Sequence, residues 1–129
     1  MSGSVSGMLC DVLTVGQVGD VMGVGTLKVR REPGDQTAGS CSYLAGDRIV
    51  AATSYLVSGA AQAFDGYKGE SEAVAGLADG AIWVPRVHTL FIRNGDSMMG
   101  IQLLDTIVPA DEIKAKSVAL GTAAAARLP

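Results

Sequence analysis

The apolar positions of the chain change their period several times, and each change marks an element. Val15, Val18 and Met22 recur at helical spacing on one face. Thr14 ahead of them is a good N-cap, and Gln17 three residues on completes a capping box. Leu13 and Val18 are placed for a hydrophobic staple, and Gly23 for a left-handed C-cap. A short helix is therefore predicted from Leu13 to Gly23. Gly16 and Gly19 each weaken it by about 1 kcal/mol relative to Ala, so packing has to hold it.

Past Gly25 the period drops to two. "TLKVRRE" alternates Leu27 and Val29 with Lys28 and Arg30, the pattern of a half-buried strand. "EPGDQTAG" reads as a loop, "SCSYL" as a second strand with Cys41 and Tyr43 on one face, and "AGD" as a tight turn. "RIVAATSYL" is a third strand rich in β-branched residues. A second helix runs from Ser58 to about Tyr67, with Ala60, Phe64 and Tyr67 on its apolar face. "GESEAVAGLADG" reads as a loop broken by Gly76 and Gly80.

Three more strands follow, "AIWV", "VHTLFIR" and "SMMGIQLLD", with Asn94-Gly95 as the hairpin signal between the last two. Pro109 opens a final helix whose inner stripe is Ile113, Leu120, Ala124 and Leu128. Asp111 and Glu112 suit its positive end, and Glu112 and Lys116 form an i, i+4 pair. The expected fold is α+β, in an αβββ-αβββ-α order. It is a curved antiparallel sheet of up to six strands with helices on one face. Residues 1–9 are expected to be a flexible Ser/Gly lead-in, and 10–129 a single domain.

Composition narrows the function classes. The chain has 129 residues, 48% apolar and 18% charged, the balance of a globular domain rather than a disordered one. Net charge is −3 and the basic residues are scattered, so nucleic acid is not an expected partner. No apolar run approaches the ~20 residues of a membrane-spanning helix. "MSGSVSGML" lacks the charged and apolar regions of a signal peptide.

Candidate chemistry is sparse. The single histidine, His88, is expected to share strand parity with Leu90 and Ile92. A lone histidine beside a core face is more often structural than catalytic. Zinc would need His88, two distant cysteines and a carboxylate, so no metal and no cofactor is expected. "GVGTLK" lacks the preceding strand and the third Gly of a dinucleotide fingerprint. Asp47 and Asp96 sit in turns that Asp favours for local hydrogen bonds. The loop holding Glu70, Glu72 and Asp79 lacks calcium spacing.

Aromatic and sulfur-bearing side chains form the other candidate set. Phe64, Tyr67, Trp83, His88 and Met99 are candidates to line a ligand space between sheet and helices, against the plainer reading of an ordinary core. Met98 and Met99 must point to opposite faces. With Met99, Ile101 and Leu103 inward beside Leu90 and Ile92, the outer face carries Met98, Gly100 and Gln102 next to Thr89 and Phe91. An exposed Phe91 and Met98 would suit a two-fold homodimer.

Cys10 precedes the first helix and Cys41 lies in the second strand. Their spacing alone leaves a bridge and two buried thiols equally open. Their context resembles actinobacterial exported lipoprotein-type domains of unknown function. The matching residues are Cys10, Leu13, Thr14, Gly23, Cys41, Tyr43, Gly76, Leu77, Asp79, Ala81 and Trp83. Ala78 stands where a second Gly is usual in that pattern, and Leu9 replaces the small residue expected before a lipidated Cys. The resemblance implies a Cys10–Cys41 disulfide and an oxidising compartment. The protein is then exported or in the cell envelope, with its export signal outside this sequence, or alternatively cytoplasmic. The functional expectation is a non-catalytic exported domain that binds a small apolar ligand or a protein partner. A small enzyme using His88 or a carboxylate as base, and a structural or oligomerising module, are the alternatives.

Overall fold

The computed structural model describes residues 10–32, 38–104 and 109–127. Helix α1 (Val15–Met22) leads into strands β1 (Lys28–Arg31), β2 (Ala38–Ala45) and β3 (Arg48–Leu56). Helix α2 (Ala60–Gly66) connects to β4 (Glu72–Val74), β5 (Gly80–Val84), β6 (Thr89–Asn94) and β7 (Ser97–Leu103), and helix α3 (Ala110–Ala125) closes the chain. The strands form one open antiparallel sheet in the order β1-β2-β3-β7-β6-β5-β4. The class is α+β. The sheet has seven strands rather than up to six, because Glu72–Val74, expected to be loop, pairs with Ala81–Trp83 as an edge strand. Three residues with one β-branched side chain carry no readable alternation; the partner strand makes them extended.

The local signals of the first helix behave as their chemistry requires. Gln17 N–H donates to Thr14 Oγ1 at 3.1 Å, and Thr14 N–H donates to Gln17 Oε1 at 2.9 Å. Gly23 ends the helix with φ 76°. Gly95 and Asp96 form the two-residue turn between paired Asn94 and Ser97.

One sheet face carries Cys41, Tyr43, Tyr55, Trp83, Leu90, Ile92, Met99 and Ile101, all buried. Helix α3 packs on this face against β6 and β7, and α1 packs against α3. A Cβ built on Gly121 would fall 2.5 Å from a Leu90 methyl, so glycine lets the helix come down onto β6. Ile113, Leu120 and Ala124 make the inner stripe together with Ser117, which is fully buried; Leu128 lies outside the described residues. Lys116 donates to the Val21 carbonyl oxygen at 2.8 Å, fastening α3 to the last turn of α1, and it sits 3.7 Å from Glu112.

Cys10 and Cys41 form a disulfide, with 5.7 Å between their Cα atoms. The bridge lies in the core, Cys41 being fully buried. In the chain-entropy picture, closing a loop of this size contributes about 3–4 kcal/mol, which offsets the weak propensity of the Gly-containing first helix.

His88 departs from expectation. Pro85–Val87 forms a 3-10 turn, and His88 caps it in the left-handed region with φ 49°. β6 starts one residue later, so His88 lies outside the strand and is exposed. The proline ends β5 and the turn that follows removes the histidine from the Leu90 and Ile92 parity.

Candidate functional site

The other sheet face is built of small and hydroxylic side chains. Register places Ser40, Ser54, Gly100 and Phe91 side by side across β2, β3, β7 and β6. The next row on that face is Ser42, Ala52, Gln102 and Thr89. These positions alternate with the core residues, as the two-residue period of a strand demands. The assignment of Met98, Gly100 and Gln102 to the outer face with Thr89 and Phe91 follows from the same register.

Helix α2 brings an aromatic wall to this face. The Ala60 N–H donates to the Asp96 carbonyl at 3.0 Å, and the Ser97 hydroxyl donates to the Val57 carbonyl at 3.0 Å. Both bonds fix the start of α2 against the β6–β7 hairpin. Tyr67, at the C-terminal end of α2, then stacks on Phe91 with ring centroids 5.0 Å apart and planes 22° from parallel. A Cβ on Gly100 would fall 3.1 Å from the Phe91 ring and 2.7 Å from Ser54 Oγ. Glycine there lets Phe91 and Ser54 lean over the strand.

Val87, in the 3-10 turn, forms the opposite wall. Its carbonyl oxygen accepts from Gln102 Nε2 at 3.1 Å and from Thr89 Oγ1 at 2.9 Å. Between Tyr67 and Val87 lies a groove of about 350 Å³, floored by Ala52, Ser54, Gly100 and Gln102. That volume is at the small end of the range for ligand pockets. Among the described residues, no charged side chain lines it. The nearby Arg86 and Glu70 are paired to each other, with 2.7 Å and 3.0 Å contacts that join the flank of one wall to the flank of the other. This pairing raises the pKa of Arg86 above its ordinary value.

The sheet separates the ligand candidates read from the sequence. Tyr67 lies in the groove, joined by Phe91. Phe64 is half-buried on α2 and does not line the groove. Trp83 and Met99 are buried on the core face. His88 is exposed, its ring centroid 6.5 Å from that of Trp83. Met98 is half-buried on the outer face, beyond the groove. Ser40, Ser54 and Val87 were not candidates from sequence. Ser54 could have been found from its alternation with Thr53 and Tyr55, but its neighbour Gly100 belongs to a strand more than forty residues away.

Two ionisable groups elsewhere are tied into the fold. Glu32 takes a hydrogen bond from Arg30, which lowers its pKa, and another from Ser42. Burial pushes the Tyr43 phenol up to about 12. Among the described residues no cluster of His, Cys, Asp and Glu could hold a metal ion, and no described helix is long and apolar enough to cross a membrane. No protein-family model, curated protein or solved structure matches the chain.

Proposed function

We propose that the chain is a non-catalytic binding domain whose ligand is a small, uncharged molecule held in the outer-face groove. The observation that carries this reading is the lining: a stacked aromatic wall, a floor of small side chains, hydroxyls and an amide, and no charged side chain among the described residues. A charged ligand would lose hydration there without gaining a counter-ion. A neutral one gains apolar contact from Tyr67 and Phe91 and hydrogen bonds from the floor. Among the described lining residues no nucleophile lies beside a base, which favours binding over catalysis. A homodimer through this face has a weaker case, since Phe91 already has Tyr67 as its partner. The buried disulfide supports an exported setting, where such bonds persist.

Titration with Nile red, a neutral planar fluorophore, tests the site. Wild type is expected to give a saturable 1:1 rise in emission. Ser54→Trp places an indole on the exposed floor and is expected to abolish that rise with an unchanged melting curve. Equal responses from the two proteins would overturn the assignment.

A further inference from the structure

We propose that Gln102 selects ligands bearing a neutral amide-type edge, a ring N–H beside a ring carbonyl, as in a lactam or a nucleobase. The inference rests on the groove being the binding site. The Val87 carbonyl decides the orientation of the Gln102 amide. It accepts from Gln102 Nε2 at 3.1 Å and from Thr89 Oγ1 at 2.9 Å. A carbonyl accepts and cannot donate, so the nitrogen end of the amide faces Val87 and the oxygen end is turned away. Two donors also fill the two lone pairs of that carbonyl, leaving Val87 nothing to offer a ligand.

Gln102 keeps more capacity than it uses. Its side chain makes this one hydrogen bond among the described residues. One N–H and the two lone pairs of Oε1 remain, in a single plane, on a half-buried group lining the groove. The complement of a planar donor and acceptor is another planar donor and acceptor. The rest of the groove favours a flat, uncharged carrier for that edge. Ala52, Ser54 and Gly100 form a floor without bulky side chains, and Tyr67 stands at its side. Arg86 is already paired with Glu70, so the rim does not favour an anionic group.

Two probes isolate the edge. 2-Pyridone carries the N–H beside its carbonyl; N-methyl-2-pyridone has the same ring and carbonyl without the donor. Titrating each into 15N-labelled protein is expected to show 2-pyridone binding at least tenfold more tightly, with the Gln102 side-chain amide among the shifted signals. Gln102→Leu is expected to erase the preference, so that the variant binds the two pyridones equally. Equal affinity of wild type for the two pyridones overturns the inference, and that comparison requires no variant to fold. Nile red binding without pyridone discrimination leaves the groove standing and removes the role of Gln102. Absence of Nile red binding removes both.

Discussion

The Tyr43 hydroxyl donates to the Leu13 carbonyl oxygen across 2.6 Å, two strand positions from the Cys10–Cys41 bridge. The chain entering α1 is thus tied to β2 twice, once covalently and once by a buried phenol. Burial holds the Tyr43 pKa up to about 12, against an ordinary value of 10. The folded state therefore binds this proton more tightly than the unfolded chain does. Its contribution to stability is complete below pH 10 and is lost as pH rises from 10 through 12. Melting curves of wild type are expected to fall across that window more steeply than those of Tyr43→Phe. At neutral pH the variant should be about 1–3 kcal/mol less stable, because it leaves the Leu13 carbonyl without its donor.

Reduction tests the covalent tie. Urea unfolding with and without a phosphine reductant should differ by about 3–4 kcal/mol, the effect of closing a loop of this length. Thiol titration of oxidised, denatured protein should find no free thiol. Two free thiols would contradict both the bridge and the exported setting proposed for the protein.

Ala78 has φ 46°, in the left-handed region where a Cβ is penalised. Ala78→Gly is expected to raise the urea midpoint, with a gain of about 1 kcal/mol after the extra freedom of glycine in the unfolded chain is deducted. A loss of stability would show that the Ala78 methyl makes a contact worth more than the backbone strain.

Ser117 is fully buried on the inner stripe of α3, and its hydroxyl has no hydrogen-bond partner among the described residues. Ser117→Ala removes the unpaired group and adds helix propensity, so a gain of about 1 kcal/mol is expected in thermal or urea unfolding. A destabilised variant would point to an ordered water bonded to this hydroxyl.

The parts of the fold legible in the sequence are those set by neighbours in the chain. Thr14 and Gln17 announce α1 because a capping box spans three residues. Asn94-Gly95 announces the last hairpin because a hairpin turn is local, although the turn itself falls on Gly95-Asp96, with Asn94 paired to Ser97 in the strand. Alternation alone assigned Phe91, Gly100 and Gln102 to the outer face, where register places them. β4 was illegible because its extended state comes from pairing with β5, not from Glu72, Ala73 and Val74 themselves. Periodicity puts His88 in the strand because a periodic run hides the 3-10 turn that precedes β6. The groove itself depends on β3 lying beside β7, which sets Ser54 next to Gly100, and on α2 carrying Tyr67 over Phe91. Both are long-range contacts with no local signature.

The outer face of the sheet, not its helix-covered side, is the proposed ligand face. An amide-resolved NMR titration with indole, a neutral planar ring, distinguishes the two faces. The expected result is a saturable set of shifts confined to Ser54, Tyr67, Thr89, Phe91, Gly100 and Gln102 and their chain neighbours. Shifts centred instead on α1, α3 and the core-facing Trp83, or no saturable shifts at millimolar indole, would contradict it.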